Sequence, residues 1–481
     1  MANILKIRDD NDCFSLIKQE SGFSFGGDTQ IPSWLPAGKK SGEISLSVLR
    51  SGIEPWLTSL FQSEHLAVLT GNGLSTAVQY MAANSVNNAM SLKDVDSIFK
   101  DRIQKAAEKI AQNNNRGEPN IEDSIRVISE LLRGLEILEG AEEVRSGDFI
   151  RLNDEFQKLI KDFTDSISAI EHSIASANEA EREKAFNYLV NFLMSFASRT
   201  GTRERLNIFT TNYDRLIEAG AEIAGLHLLD RFVGTLAPIF RSSRLDLDMH
   251  YNPPGMRGEP RYLEGVARFT KLHGSIDWID TGNDIRRIGL PFGSKDITNF
   301  LNAHGLSGTD SRKIMIYPNS AKDRETSEYP YVELFRDFAA ALCRPNCTLV
   351  TYGYGFGDDH INRIIKDMLT IPSTHLVIIS YNDIGEQAEE KDASGTIIKE
   401  HADGRIMRFY RELGRPSQVT MLIGKDIADL KILVDYFMPK PSIDKASMRM
   451  SDLLKQRYSA PPSKTAESDF TDAAETVGGE E

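Results

Sequence analysis

Leu66-Ala67-Val68-Leu69-Thr70-Gly71-Asn72-Gly73-Leu74-Ser75 is the stretch that decides the fold class. It opens as a continuous apolar run, the signature of a strand buried on both faces, and breaks abruptly into glycines. Strand, glycine turn and helix in that order open a nucleotide-binding βα unit. Glycines at 71 and 73 let the backbone approach a pyrophosphate, and the helix start offers unpaired N–H groups and the positive end of its dipole. The full Gly-x-Gly-x-x-Gly fingerprint is missing, because its sixth position is Thr76. Alone, the turn reads equally well as a structural strand-to-helix connection.

Working outward, residues 1–64 form an N-terminal extension whose stretch from Gly22 to Gly42 is rich in Gly, Pro and Ser and is expected as loop or extended arm. From about 94 to 199 the character becomes helical. Ile121, Ile125, Ile128, Leu132, Leu135 and Leu138 recur at steps of three and four, with Asn120 as N-cap and Gly140 past the end. Phe156, Ile160, Phe163, Ile167, Ile170 and Ile174 repeat the pattern, and Ala185–Phe196 supplies another helix. Stripes of this kind are ordinarily bundle core.

After Arg199 strands and helices alternate again. Strands are expected at Leu206–Thr211, Val266–Leu272, Lys313–Tyr317, Thr348–Tyr352, His375–Tyr381 and Val419–Ile423, with a hairpin over Ile276–Arg287. Helices are expected at Arg215–Ala224, Tyr331–Leu342, Asp359–Met368 and Ile427–Phe437. The fold class is therefore α/β: a doubly wound, Rossmann-like parallel sheet over 65–440, interrupted by a large helical insertion. The acidic tail, 441–481, holds six acids against one lysine after Ser459 and is expected to be disordered.

Composition sets the outer limits. At 481 residues, 40% hydrophobic, 8% aromatic and 26% charged, the chain is ordinary for a globular enzyme and unlike a disordered, collagen-like or coiled-coil protein. Its 56 basic and 70 acidic residues give a formal charge of -14, which argues against sequence-specific or general nucleic-acid binding as the main activity. Cys13, Cys343 and Cys347 are the only cysteines, too few for a disulfide framework or a four-thiolate zinc site. The opening residues do not read as a signal peptide and no apolar run approaches membrane length, so a cytoplasmic protein is expected.

Three more blocks carry chemistry, each at an expected strand end, where doubly wound sheets bind ligands. In Thr210-Thr211-Asn212-Tyr213-Asp214, Asn212 suits a ribose hydroxyl or an attacking water. Asp214 either caps the next helix or orients a carboxamide. In Lys271-Leu272-His273-Gly274-Ser275, the glycine leaves the His273 imidazole accessible for general-base work. In Tyr352-Gly353-Tyr354-Gly355-Phe356-Gly357-Asp358-Asp359-His360, alternating glycines suit a loop wrapping a nucleotide. There Asp358 or Asp359 caps the following helix, and His360 reads as a helix-start residue.

Taken together the four blocks resemble the sirtuin superfamily. Thr210–Asp214 resembles its Thr-Gln-Asn-Ile-Asp segment, Leu272–Ser275 the segment bearing its catalytic histidine, and Gly71–Ser75 its Gly-Ala-Gly-x-Ser loop, with Asn72 in place of alanine. The fourth block resembles the zinc-less sirtuin-like NADases of bacterial antiphage defence, and the overall layout resembles the partner of a HerA-type hexameric ATPase. This resemblance implies a homo-oligomer that uses NAD⁺ as substrate, with no zinc and no further cofactor. It implies Asn212, His273 and Asp214 as catalytic residues. Gly71, Asn72, Gly73 and Ser75 would hold the pyrophosphate, Gly353, Gly355 and Phe356 the ribose, and Ser380 and Asn382 the adenosine, with Thr211 a further NAD-binding residue.

Deacylases of the superfamily carry a four-cysteine zinc module that three cysteines cannot build. The expected activity is therefore NAD⁺ glycohydrolysis, to nicotinamide and ADP-ribose, serving antiviral NAD⁺ depletion. An NAD-dependent protein deacylase or ADP-ribosyltransferase, and a non-catalytic NAD- or ADP-ribose-binding assembly subunit, are the alternatives.

Overall fold

The protein is described as a computed structural model. It describes residues 3–440 apart from 9, 11, 27–31, 36–42, 87–98, 114–118, 140–146, 200–202, 245–247, 252–260, 296–299, 302–305, 307–313, 317–328, 384–387, 392–396 and 402–403. The expected disordered tail, the Gly140 helix stop and most of the Gly22–Gly42 arm lie outside the described residues.

Ten strands form the main sheet: β1 (Asn3–Lys6), β2 (Phe14–Lys18), β3 (Phe23–Phe25), β4 (His65–Thr70), β5 (Asn207–Thr210), β6 (His227–Leu229), β7 (Val266–Lys271), β8 (Cys347–Tyr352), β9 (His375–Ser380) and β10 (Val419–Ile423). Their order is β3-β2-β1-β10-β9-β8-β4-β5-β7-β6. From β10 to β6 every pairing is parallel, as the alternation of strands and helices requires. The fold class read from the sequence is the fold observed.

Alternate strand residues face opposite sides, and both sides are covered. Leu66, Val68, Val350, Tyr352, Val377 and Ile379 join one core with α1 (Leu46–Phe61), α2 (Asn72–Ala83) and α7 (Leu216–Ala224). Ala67, Leu69, Leu349, Leu376 and Ile378 join the other, under α8 (Tyr331–Leu342), α9 (Asp359–Met368) and α10 (Arg405–Leu413). That two-sided burial is what makes these strands continuous apolar runs in the sequence.

The N-terminal extension is more structured than its composition suggested. β1 pairs antiparallel with β10, Ile4 opposite Ile423, and β2 and β3 extend that edge. Lys6, the last residue of β1, is fully buried and donates from Nζ to the Val419 carbonyl at 2.7 Å. Between α2 and β5 the described chain is helical: α3 (Lys100–Asn113), α4 (Ile121–Glu139), α5 (Gly147–Ala175) and α6 (Glu179–Ala197). The start of α4 is a reciprocal capping box, with Asn120 Oδ1 accepting from the Asp123 N–H and Asp123 Oδ2 from the Asn120 N–H, both at 3.0 Å. α6 packs on α2 and α7, the helices that follow β4 and β5.

A second, antiparallel sheet leaves the main one at Gly274. Its strands are ordered Ile314–Ile316, Gly274–Asp280, Ile285–Arg287, Ile239–Phe240, Phe232–Val233. The expected hairpin is here, with Trp278 opposite Arg287 around the Thr281–Asp284 turn.

Candidate active site

The chain runs outward from β4 to β5 on one side and later returns to β8 on the other. β4 feeds α2 on one face, whereas β8 feeds α9 on the opposite face. The β4/β8 boundary is thus the topological switch point, where a crevice opens beyond the strand ends. The two glycine loops meet there.

Their glycines are explained first by each other. A Cβ on Gly73 would lie 2.6 Å from the Gly353 Cα, and one on Gly71 2.5 Å from the Gly353 carbonyl oxygen. Gly353 has φ +62° and a Cβ there would meet the Gly73 Cα at 2.6 Å. Backbone hydrogen bonds lock the contact: the Gly71 N–H donates to Tyr352 O at 3.0 Å, and the Gly73 N–H to Gly353 O at 3.1 Å. Those N–H groups, expected to cradle a pyrophosphate, are therefore engaged between the loops. What the first loop turns outward is the exposed Asn72 and the start of α2.

Asn212 and Asp214 sit just after β5 and are joined through Ser75. The Asn212 amide nitrogen donates to Gly71 O at 3.0 Å and to Ser75 Oγ at 2.9 Å. The Ser75 hydroxyl in turn donates to Asp214 Oδ2 at 2.6 Å. A carboxylate only accepts, so the direction of the relay is set from Asp214 backwards. Both Asn212 donors point inward, and among the described residues its Oδ1 has no hydrogen-bond partner, leaving an acceptor for a ligand. Asp214 is engaged at both oxygens, since Oδ1 also accepts from the Leu216 N–H at the start of α7. The Oδ1 bond to the start of α7 is the helix-cap reading of the sequence, while Oδ2 ties Asp214 to Asn212 by way of Ser75. Ser75, 1% exposed, likewise serves the relay and presents no side chain to a phosphate. Thr211 is held by its N–H on Thr70 O at 3.1 Å.

His273 lies two residues past β7, just before the strand that opens at Gly274. Its Nε2 is 2.9 Å from Asp358 Oδ2, and its ring lies 6.2 Å from that of Tyr213. Asp358 Oδ1 caps α9, accepting from the N–H of His360 at 3.1 Å. The second loop is braced from inside: Tyr354 Oη donates to Asp358 O at 3.3 Å, and Asn362 Nδ2 donates to Phe356 O at 3.0 Å. Burial pushes the Tyr354 phenol well above its usual range, so it stays protonated and a donor.

The ribose and adenosine residues divide. Gly355 is exposed and open, with only Arg405 Nη2 near its Cβ direction, at 3.8 Å. Phe356 turns its ring into the core, 4.7 Å from the Phe409 ring, and its carbonyl is the one that Asn362 holds. Ser380 ends β9 and donates to Asn382 O at 2.7 Å, with Asn382 half-buried beyond it.

Several supporting residues were not singled out from the sequence. Lys271, 1% exposed, holds the site loop from below, donating to the Asp214 carbonyl and, at 3.1 Å, to Glu218 Oε1. Burial raises the Glu218 carboxyl, opposed by Lys271. The helical insertion reaches the same loop. Tyr213 Oη donates to Glu122 at 3.0 Å, and Glu171 accepts from the Arg215 N–H at 2.7 Å and pairs with its guanidinium. A buried lysine ending an apolar strand was the one signal available; the Glu171 pairing spans distant sequence and leaves none.

Cys343 is exposed at the end of α8 and Cys347 is buried at the start of β8, where desolvation pushes its thiol up to about 12. Among the described residues no group of three or more His, Cys, Asp or Glu is placed to hold a metal, and no helix is long and apolar enough to cross a membrane.

Residues 206–399 match the SIR2-like domain family, and no curated protein matches the chain. The matched span begins at β5, yet β4 and its glycine loop lie between β5 and β8 in the sheet, so the fold inserts the first motif into the middle of the matched domain. Residues 206–399, part of a mixed α/β fold of Rossmann-like form, are thus similar to the SIR2-like domain family.

Proposed function

We propose that the crevice binds NAD⁺ and hydrolyses its nicotinamide–ribose bond, giving nicotinamide and ADP-ribose. A SIR2-like domain points to NAD-related chemistry; the observation that carries the finer reading is the convergence of an oriented Asn212 acceptor and a half-buried His273 at the switch point. Nicotinamide leaves as a neutral molecule, taking the electron pair of the C1′–N bond, and the ribose carbon becomes oxocarbenium-like. Such a centre needs a held water and a base rather than a strong nucleophile. Asn212 Oδ1 accepts from that water or from a ribose hydroxyl. The water oxygen bonds to C1′ and His273 takes its proton. Asp214 orients Asn212 through Ser75, while Asn72 and the α2 start face the pyrophosphate, Gly353, Gly355 and Phe356 the ribose, and Ser380 with Asn382 the adenosine.

Hydrolysis is favoured over deacylation because the chain has three cysteines and follows His273-Gly274 with a β-hairpin, not with paired thiolates. We further propose that the activity depletes NAD⁺ in antiphage defence, in a cytoplasmic homo-oligomer working with a HerA-type hexameric ATPase. A hydrolase of this kind has to be restrained at rest. The contacts from Glu122 and Glu171 to the Tyr213–Arg215 loop are where helices outside the sheet bear on the site.

The test is nicotinamide release from NAD⁺ by purified protein, alone, with an acyl-lysine peptide, and with the ATPase. Equimolar nicotinamide and ADP-ribose without peptide is expected. Release that requires the peptide would make the protein a deacylase, and binding without release in every arm would make it an assembly subunit.

A further inference from the structure

The proposed hydrolysis leaves open which nitrogen of His273 works, and the structure addresses it through Asp358. The two oxygens of that carboxylate have separate partners. Oδ1 receives the His360 N–H at 3.1 Å and the Ile361 N–H at 3.5 Å, which caps α9. Oδ2 faces His273 Nε2 at 2.9 Å, across 85 residues of sequence. The cap alone does not require a carboxylate, since Asn or Ser would serve it as well. Asp358 is also tied by its carbonyl to Tyr354 Oη, so the second glycine loop, α9 and His273 are joined at one residue.

A carboxylate only accepts hydrogen bonds, so a neutral imidazole facing it carries its proton on Nε2 and keeps its lone pair on Nδ1. We propose that Asp358 is a positioning residue for the reaction: it holds His273 in the Nε2–H tautomer, so that Nδ1 is the atom that takes the proton from the attacking water. This inference rests on the NAD⁺-cleavage reading for its consequence, but not for the pairing itself.

Asp358→Asn separates the two duties. The asparagine oxygen keeps the α9 cap, while its amide nitrogen donates to Nε2 and moves the ring proton to Nδ1, the working atom. The same exchange in the serine-protease triad costs about 10⁴-fold by putting the proton on the wrong nitrogen. Expected here is a fall in NAD⁺ turnover of about 10²–10⁴-fold, with NAD⁺ affinity and the urea midpoint unchanged. Histidine-selective ¹⁵N NMR, with His273 assigned by its loss in His273→Gln, should show Nε2–H in the parent protein and Nδ1–H in Asp358→Asn. Parent-like turnover in Asp358→Asn, or an Nδ1–H ring in the parent protein, would overturn the proposal. Were the parent protein inactive on NAD⁺, the hydrolysis reading would fail, while the NMR comparison would still decide whether Asp358 sets the tautomer.

Discussion

Replacing Gly353 by alanine should open the contact on which the crevice is built. The new Cβ would lie 2.6 Å from the Gly73 Cα, 2.8 Å from the Gly73 carbonyl carbon and 2.9 Å from the Leu74 nitrogen, all backbone atoms. None of them can move without displacing the start of α2. The residue also sits at φ +62°, which costs an L-residue about 1–2 kcal/mol. Overpacking adds about 1–3 kcal/mol, so the expected loss is about 2–5 kcal/mol. With a slope of about 3 kcal/mol per M, the urea midpoint should fall by about 1 M. Gly355→Ala is the matched control: its nearest neighbour is Arg405 Nη2 at 3.8 Å, and a change within about 0.5 kcal/mol is expected. Gly73→Ala meets the same contact without the left-handed backbone and should cost about 1–3 kcal/mol, and the double variant should cost less than the sum, because one separation of the loops relieves both clashes. The reasoning fails if Gly353→Ala unfolds together with Gly355→Ala.

Other expectations follow from groups away from the crevice. His375 is buried against Trp56 and Thr420, and desolvation lowers it from 6.5 to about 4. Its neutral form is the folded one, so stability is lost as pH falls through this window, by about 1.4 kcal/mol per pH unit. Roughly 2 kcal/mol should therefore be missing at pH 5, and His375→Gln should flatten the pH dependence of the urea midpoint. Glu171→Ala strands the buried Arg215 guanidinium and should cost about 3–5 kcal/mol in the same assay, with NAD⁺ turnover falling as the Tyr213–Arg215 loop loosens. Gly134→Ala, inside α4 with open space around it, should raise stability by about 0.5–1 kcal/mol; a loss there would show a contact on that face.

The elements buried on both faces were the legible ones. Val419–Ile423, Tyr331–Leu342 and Asp359–Met368 coincide with their sequence expectations, because long apolar runs and helical stripes leave little ambiguity. The first 61 residues were opaque for the opposite reason. β1 carries Asn3 and Lys6 at buried positions, and their partners, including Asp426 and the Val419 carbonyl, lie some four hundred residues away. α1 contains Gly52 and Pro55 and still buries Leu49, Ile53, Leu57 and Phe61 along one side. Near the end of the described residues, Ile427–Phe437 folds as a short α-turn, Leu430–Ile432, running into a π-helix, Leu433–Phe437, instead of one regular helix.

At the site, the motif residues follow the strand ends expected for them, but their partners were not foreseen. Glycine spacing suggested a phosphate cradle, whereas Gly73 and Gly353 answer first to each other. The cap role of Asp358 was readable from its place before α9. Its second oxygen on His273 was not, since sequence carries no record of which loop faces which across a sheet edge.

The measurement closest to the central claim compares nicotinamide release from NAD⁺ by the parent protein, Asn212→Ala and His273→Gln, with NAD⁺ binding and urea unfolding followed in parallel. Asn212→Ala leaves Gly71 O and Ser75 Oγ without their donor, about 1–3 kcal/mol of stability, so its folded fraction enters the comparison directly. The account predicts release by the parent protein and losses of about 10²–10⁴-fold in both variants, with NAD⁺ still bound. Parent-level release by folded Asn212→Ala or His273→Gln would contradict it.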